Sequence, residues 1–297
     1  MKKMRILNFC VFLFLACPIA FAASPKNETF KQVWTTGAVF RAPESAVYDP
    51  SDGVLYISNM EGSATGKDGK GFISKVDLNG KVLTLEWVSG LNAPKGLAIR
   101  GGRLYGADID ELVEIDIKDA KILKRYPAKD AIFFNDVAVA PDGSLYVSDM
   151  MTNKIHRLKR GRFKVWLNDA ALENPNGLFA EEGRLIVGSW GKPEPDFSTP
   201  VPGRLKAVDF KTKKISLLGG SEPAGNLDGV EADGQGGYLV TDWIKGAVLY
   251  FSPEGKVRQV LDLAPGSADL EVIPEKSLAV IPIMSEDRVV AFRIRKN

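Results

Sequence analysis

Cysteine is nearly absent from this 297-residue chain, and both copies, Cys10 and Cys17, lie within its first seventeen residues. Nothing downstream can form a disulfide, so the folded part must be held by its core. Histidine is scarcer still: His156, in NKIHRL, is the single copy and reads as a surface residue on an outer strand. So little imidazole and thiolate argues against zinc and copper sites, because those metals recruit His and Cys. No G-x-S-x-G elbow is present, so no nucleophilic serine of that kind is expected. No helix of ordinary length is legible, and DAALENP (Asp169 to Pro175) suits at most one turn. Beyond residue 21 no apolar run reaches spanning length, so no stable membrane span is expected. Charge of one sign is lacking too. Three of the 39 basic residues, Lys2, Lys3 and Arg5, sit at the extreme N-terminus, leaving 36 against 37 acidic ones. A near-neutral chain without basic runs argues against nucleic acid as partner.

What is present begins with a leader. The basic start is followed by an apolar run from Ile6 to about Phe21 and by Ala20-Phe21-Ala22, a small-x-small cleavage site. Residues 1–22 therefore read as a secretory signal peptide and the product as exported, periplasmic or secreted. Phe14-Leu15-Ala16-Cys17 offers a lipoprotein as the minor alternative.

The remaining residues, 23–297, repeat one plan six times. PESAVYD (from Pro43), PKGLAI (from Pro94), FNDVAVA (from Phe134), PNGLFA (from Pro175), LDGVEAD (from Leu227) and ADLEVI (from Ala268) each put a polar residue second and strand formers after it. The polar residues are Glu44, Lys95, Asn135, Asn176, Asp228 and Asp269, spaced by 51, 40, 41, 52 and 41. Turns such as PDG (Pro141 to Gly143) and second strands such as VLYIS, RLYGA, SLYVS, RLIVG and GYLVT follow each. A period near 40 with such signals predicts an all-β, six-bladed propeller of four-stranded antiparallel blades, one domain over 23–297. The last repeat is short of an outer strand, and FKQVWTTGAVF from Phe30 has no blade of its own. That N-terminal strand is expected to close the ring and remove an open sheet edge.

If each repeat is one blade, the six polar residues point at the axis. Glu44, Asn135, Asn176 and Asp228 would supply four oxygens from four blades, a donor set that suits Ca2+. Carboxylates gathered without a cation would repel one another and hold their protons. The alternative is a set of polar residues that merely solvates a channel. Two long insertions, Met60 to Gly71 and Gly191 to Gly203, fall on the axial face as walls, lids or surface loops. Trp190 and Trp243 end second strands on that face, placed to line a pocket or pack between blades.

PES at Glu44, FND at Asn135, PNGL at Asn176 and LDG at Asp228 resemble the motifs of the SMP-30/gluconolactonase/LRE-like family. These are six-bladed propellers that include calcium-dependent lactonases and, more distantly, diisopropylfluorophosphatase and paraoxonase enzymes. The resemblance runs from about Phe30 to the end. It implies that those four residues are calcium ligands, that Asp228 is also general base or nucleophile, and that Asp136 stands behind the ligands. Two departures matter. The sugar-lactone enzymes carry an Arg two residues before the FND Asn, where this chain has Phe133, so a more apolar pocket is implied. The paraoxonases carry a His where this chain has Lys95. That lysine is open to three roles: a base when desolvated, a salt bridge to Glu44, Asp269 or Asp136, or an ammonium in place of the metal. The function expected is calcium-dependent hydrolysis of a small-molecule lactone or related ester. The alternative is a non-catalytic propeller that binds a small ligand or protein.

Overall fold

A computed structural model describes residues 30–194 and 199–295. The signal segment expected over residues 1–22 lies outside the described residues. Six four-stranded antiparallel sheets follow one another, and no α-helix interrupts them among the described residues. Five sheets are consecutive in sequence. The sixth pairs the strand Phe30–Thr35 with the C-terminal strand Arg288–Ile294, so the ring closes with its first strand as expected. The DAALENP segment holds a single 3-10 turn, Ala170–Leu172, capped by the Asp169 side chain accepting from Ala171 N at 2.9 Å.

The inner strands are Pro43–Asp49, Pro94–Arg100, Phe134–Val139, Pro175–Glu181, Leu227–Ala232 and Glu271–Ile273. The sixth is the shortest, and Asp269 stands just before it, joined to Ser45 of the first blade by an isolated parallel bridge. Second strands such as Val54–Asn59 and Leu278–Ile283 are buried at every position. They lie between neighbouring blades on both faces, which explains why VLYIS and LAVIPI are continuous apolar runs rather than alternating ones. The core is therefore a set of inter-blade layers. Tyr56 and Ile73 of the first blade pack with Leu97, Leu104 and Val113 of the second, and the pattern recurs around the ring. Each such Leu or Ile withdrawn from water contributes about 1.5–3 kcal/mol, which is how a chain without disulfides is held. Outer strands such as Val82–Leu91 are largely exposed.

Candidate functional site

In five blades the inner strand slips register against the second strand at one place. Pro43 pairs with Asn59 but Ala46 with Ile57; the pairs Pro94/Asp108 and Leu97/Gly106, Phe134/Asp149 and Val137/Val147 repeat the step. So do Pro175/Ser189 with Leu178/Val187, and Leu227/Asp242 with Val230/Val240. Two inner residues oppose one neighbour, which is a β-bulge, a device that re-aims side chains. Glu44, Lys95, Asn135, Asn176 and Asp228 are each the first of the two residues that oppose one neighbour.

The bulges are stabilised by short hydroxyl side chains. Ser58 Oγ accepts from Ser45 N at 2.9 Å, Ser148 Oγ from Asp136 N at 2.9 Å, and Thr241 Oγ1 from Gly229 N at 2.8 Å. Ser148 Oγ also donates to Asn176 O at 2.7 Å, so one hydroxyl fixes two axial strands. The next residue of each second strand clamps the loop that leads into the inner strand. Asp108 accepts from Asn92 N (2.9 Å) and Ala93 N (2.8 Å), Asp149 from Phe133 N (3.0 Å), and Asn59 from Arg41 N (3.0 Å). These carboxylates and amides were not singled out as clamps in the sequence. Their signal is the repeated S/T/A/G–D/N/S ending of the second strands.

The outcome is one cavity of about 460 Å3 at the end of the ring. Glu44, Lys95, Asn135, Asn176 and Asp228 form its floor, and Phe133, Trp190 and Trp243 line it above. All five floor residues are buried. Asp136 and Asp269 do not line it. Asp136 accepts from Val137 N and from Leu178 N of the next blade, both at 2.6 Å. Asp269 Oδ2 accepts from Ser45 Oγ at 2.6 Å, and its N–H donates to Glu44 O at 2.9 Å. Both acids stitch neighbouring blades behind the floor. The loop from Met60 to Gly71 supplies Ser63, Ala64 and Thr65 to the wall. Residues of the other long insertion, Gly191, Lys192, Pro193, Val201 and Pro202, line a separate depression of about 600 Å3. Glu173 in that depression is already paired with Arg204 and Lys206, so the convergent acids lie in the axial cavity.

Lys95 is held by carbonyls rather than by a carboxylate. Its ammonium donates to Ala64 O (2.9 Å) and Ala93 O (3.0 Å) and sits 4.5 Å from the centre of the Phe133 ring. The salt bridge weighed for it in the sequence is replaced by a pin on the first long loop. Burial draws its pKa down to about 8, against the pull of Glu44 and Asp108. Burial drives the acids the other way. Asp228 is pushed up to about 8, by burial and then by the Asp136 charge, with the Asn176 amide drawing it partly back. Glu44 is held well above the usual carboxylate range by burial and the Asp228 charge, with Lys95 opposing. Asp136 is raised to about 6 by burial, offset by its two backbone donors. Deeper acids join them: Asp269 and Glu231 are held high by burial first, and Glu271 is raised to about 8. Six carboxylates thus share the channel with one lysine, and the sequence reading had not counted Glu231 or Glu271.

Three buried oxygens on the floor lack any hydrogen-bond partner: Glu44 Oε2, Asn135 Oδ1 and Asn176 Oδ1. Among the described residues no three His, Cys, Asp or Glu side chains come together as a metal site. A cation here would therefore draw on the amide oxygens as well as on Glu44 and Asp228. An all-oxygen set of two carboxylates and two amides from four strands fits a hard divalent ion such as calcium.

His156 departs from expectation. It is buried, not on the surface, with its ring centre 4.8 Å from that of Phe134 and 5.5 Å from that of Phe163. Its strand, Lys154–Lys159, is third in its blade and still packed between blades, so alternate side chains point into apolar layers. The imidazole does not reach the cavity.

No protein-family model matches the chain, and no curated protein matches it. Solved structures do. A gluconolactonase from Xanthomonas campestris superposes with a TM-score of 0.69 at 15% identity, over 90% of this chain and 89% of its own. A streptogramin B lyase gives 0.63 at 10% identity, over 90% and 97%. A virginiamycin B lyase from Staphylococcus aureus gives 0.62 at 12% identity, over 90% and 100%. At these identities the likeness establishes a shared fold, and the kind of propeller that the sequence motifs resemble is among those that share it.

Proposed function

We propose that this chain is an exported, calcium-dependent hydrolase of lactones or related esters, working in the axial cavity. The observation that carries the reading is the set of unpartnered buried atoms on Glu44, Asn135 and Asn176, side chains from three blades facing one space. An unsatisfied buried polar atom costs about 1–3 kcal/mol, and folded proteins keep few of them. Three such oxygens facing one cavity beside Asp228 support a shared cation as their partner. Calcium bound there would act as a Lewis acid on a carbonyl or phosphoryl oxygen.

The protein's own groups have defined tasks. Asp228, with its proton affinity raised toward neutrality, is suited to take a proton from an attacking water, or to attack the substrate itself. Asn135 and Asn176, fixed by the bulges, orient the substrate oxygen through preorganised dipoles. Lys95 offsets the Glu44 charge and fixes Ala64 over the cavity, which positions the wall of the loop. Asp136 and Asp269 keep the ligand-bearing strands in register.

Lyase chemistry of the neighbours' kind finds no matching group. The virginiamycin B lyase is inactivated when one histidine is replaced by alanine. The lone histidine here is packed between phenylalanines outside the cavity. Metal analysis of the purified protein with lactone and aryl-ester assays tests the proposal. One calcium per chain, with turnover abolished by a chelator and restored by calcium, is expected. A folded protein with neither metal affinity nor turnover would make it a binding propeller instead.

A further inference from the structure

The chain has six methionines, two of them, Met1 and Met4, in the leader. The other four, Met60, Met150, Met151 and Met284, all line the axial cavity. Three of them occupy one structural position. Met60, Met150 and Met284 each directly follow the last residue of a second strand, and so do Trp190 and Trp243. In the remaining blade that place is held by Ile109, which packs with Met60 and Ala93. The residue after the second strand is thus large and apolar in all six blades, and in five of them, all but the blade of Ile109, it lines the cavity. Phe133 adds a further ring to this collar.

Part of the collar is in direct contact. Trp190 and Trp243 touch, with ring centres 5.8 Å apart and planes tilted by 53°. Trp243 Nε1 donates to Met284 Sδ at 3.2 Å, which spends its polar end inside the wall. Among the described residues, hydroxyls reach the cavity wall only from Ser63 and Thr65, on the loop side. Methionine is unbranched and polarisable and adapts its shape to what it touches, which is why it recurs at sites that accept varied apolar partners.

From this two-layer construction we infer that the substrate has a single polar acyl or phosphoryl head, which reaches the floor, and an apolar body, which lies against the methionine and tryptophan collar. The site takes apolar bodies of different shape and disfavours polyhydroxylated ones, whose hydroxyls outnumber the few partners in the wall, Ser63, Thr65 and Trp190 Nε1. The identity of the head rests on the hydrolase reading; the apolar character of the body does not.

Calorimetric binding to the full chain, with calcium and with chelator, tests this using non-hydrolysable γ-lactams bearing butyl to octyl chains and a polyhydroxylated lactam. Affinity is expected to rise about fourfold per methylene, and the polyhydroxylated lactam to bind more than tenfold weaker than the octyl one. Met150→Gln and Phe133→Arg should each weaken the octyl lactam about tenfold while leaving the fold intact by circular dichroism. If one variant misfolds, the chain-length series in the wild type decides alone. Affinity independent of chain length, or tighter binding of the polyhydroxylated lactam, overturns the inference. Calcium-dependent turnover of polyhydroxylated lactones alone would overturn it while sparing the hydrolase reading. Chain-length-dependent binding without any turnover would uphold it and remove that reading.

Discussion

The α-carbon of Gly177 faces the Asp228 main chain so closely that a Cβ added to it would lie 1.7 Å from the Asp228 carbonyl oxygen. Neighbouring inner strands abut here without any side chain between them. The glycine after Asn176 is therefore a condition for the two floor residues to face one cavity.

Gly177→Ala is expected to cost at least about 3 kcal/mol, because backbone on the next blade must move to relieve the overlap. Thermal and urea unfolding would measure it. A stability within about 0.5 kcal/mol of wild type would show that the inner strands are more loosely apposed than described.

Asp228→Asn keeps the size of the side chain and removes its basicity. Turnover of a responsive lactone or aryl ester should fall by about 10²–10⁴, with the fold unchanged by circular dichroism. Undiminished turnover would place the proton acceptor elsewhere in the cavity.

The channel acids set a pH dependence for the calcium-free protein. Asp228 and Glu271 titrate near 8 in the fold, well above ordinary carboxylates. A raised folded pKa means that the folded state binds more protons than the unfolded one between about 4 and 8. Stability from these groups is complete below about pH 4 and is lost as pH rises through about 8. The melting temperature in chelator should therefore be lower at pH 9 than at pH 6, and saturating calcium should shrink that difference. Equal slopes with and without calcium would separate the acids from any cation site.

His156 works in the opposite sense. Burial lowers its pKa to about 4, against a usual value near 6.5. The unfolded chain gains its proton first, so stability is lost as pH falls from about 6.5 to 4. Neither ring nitrogen has a hydrogen-bond partner, so His156→Phe should be tolerated. Melting curves of the variant and wild type should diverge in the variant's favour below pH 6.5. Parallel curves would mean that the imidazole protonates in place.

The propeller was legible because one bulged polar residue per repeat stands out against strands buried on both faces. Glu44, Asn135, Asn176 and Asp228 were readable for that reason, and so were Phe133, Trp190 and Trp243 by their offset from the motifs. The methionines were not, because a lone methionine after a strand looks like any core filler until the six positions are superposed. Glu231 and Glu271 were hidden by falling deeper along inner strands, beyond the motif. His156 was misplaced because the third strand of a blade is still covered by its neighbours, unlike the fourth. The Lys95 pin depends on Ala64, 31 residues back in an irregular loop, which no local pattern announces.

The pairing of Phe30–Thr35 with Arg288–Ile294 also has a meaning in time. A ribosome makes the first of these partners long before the second. Until Arg288–Ile294 appears, Phe30–Thr35 has nowhere to dock and its blade lacks its rim. Removing Arg288–Ile294 therefore also leaves Phe30–Thr35, more than 250 residues earlier, unpaired.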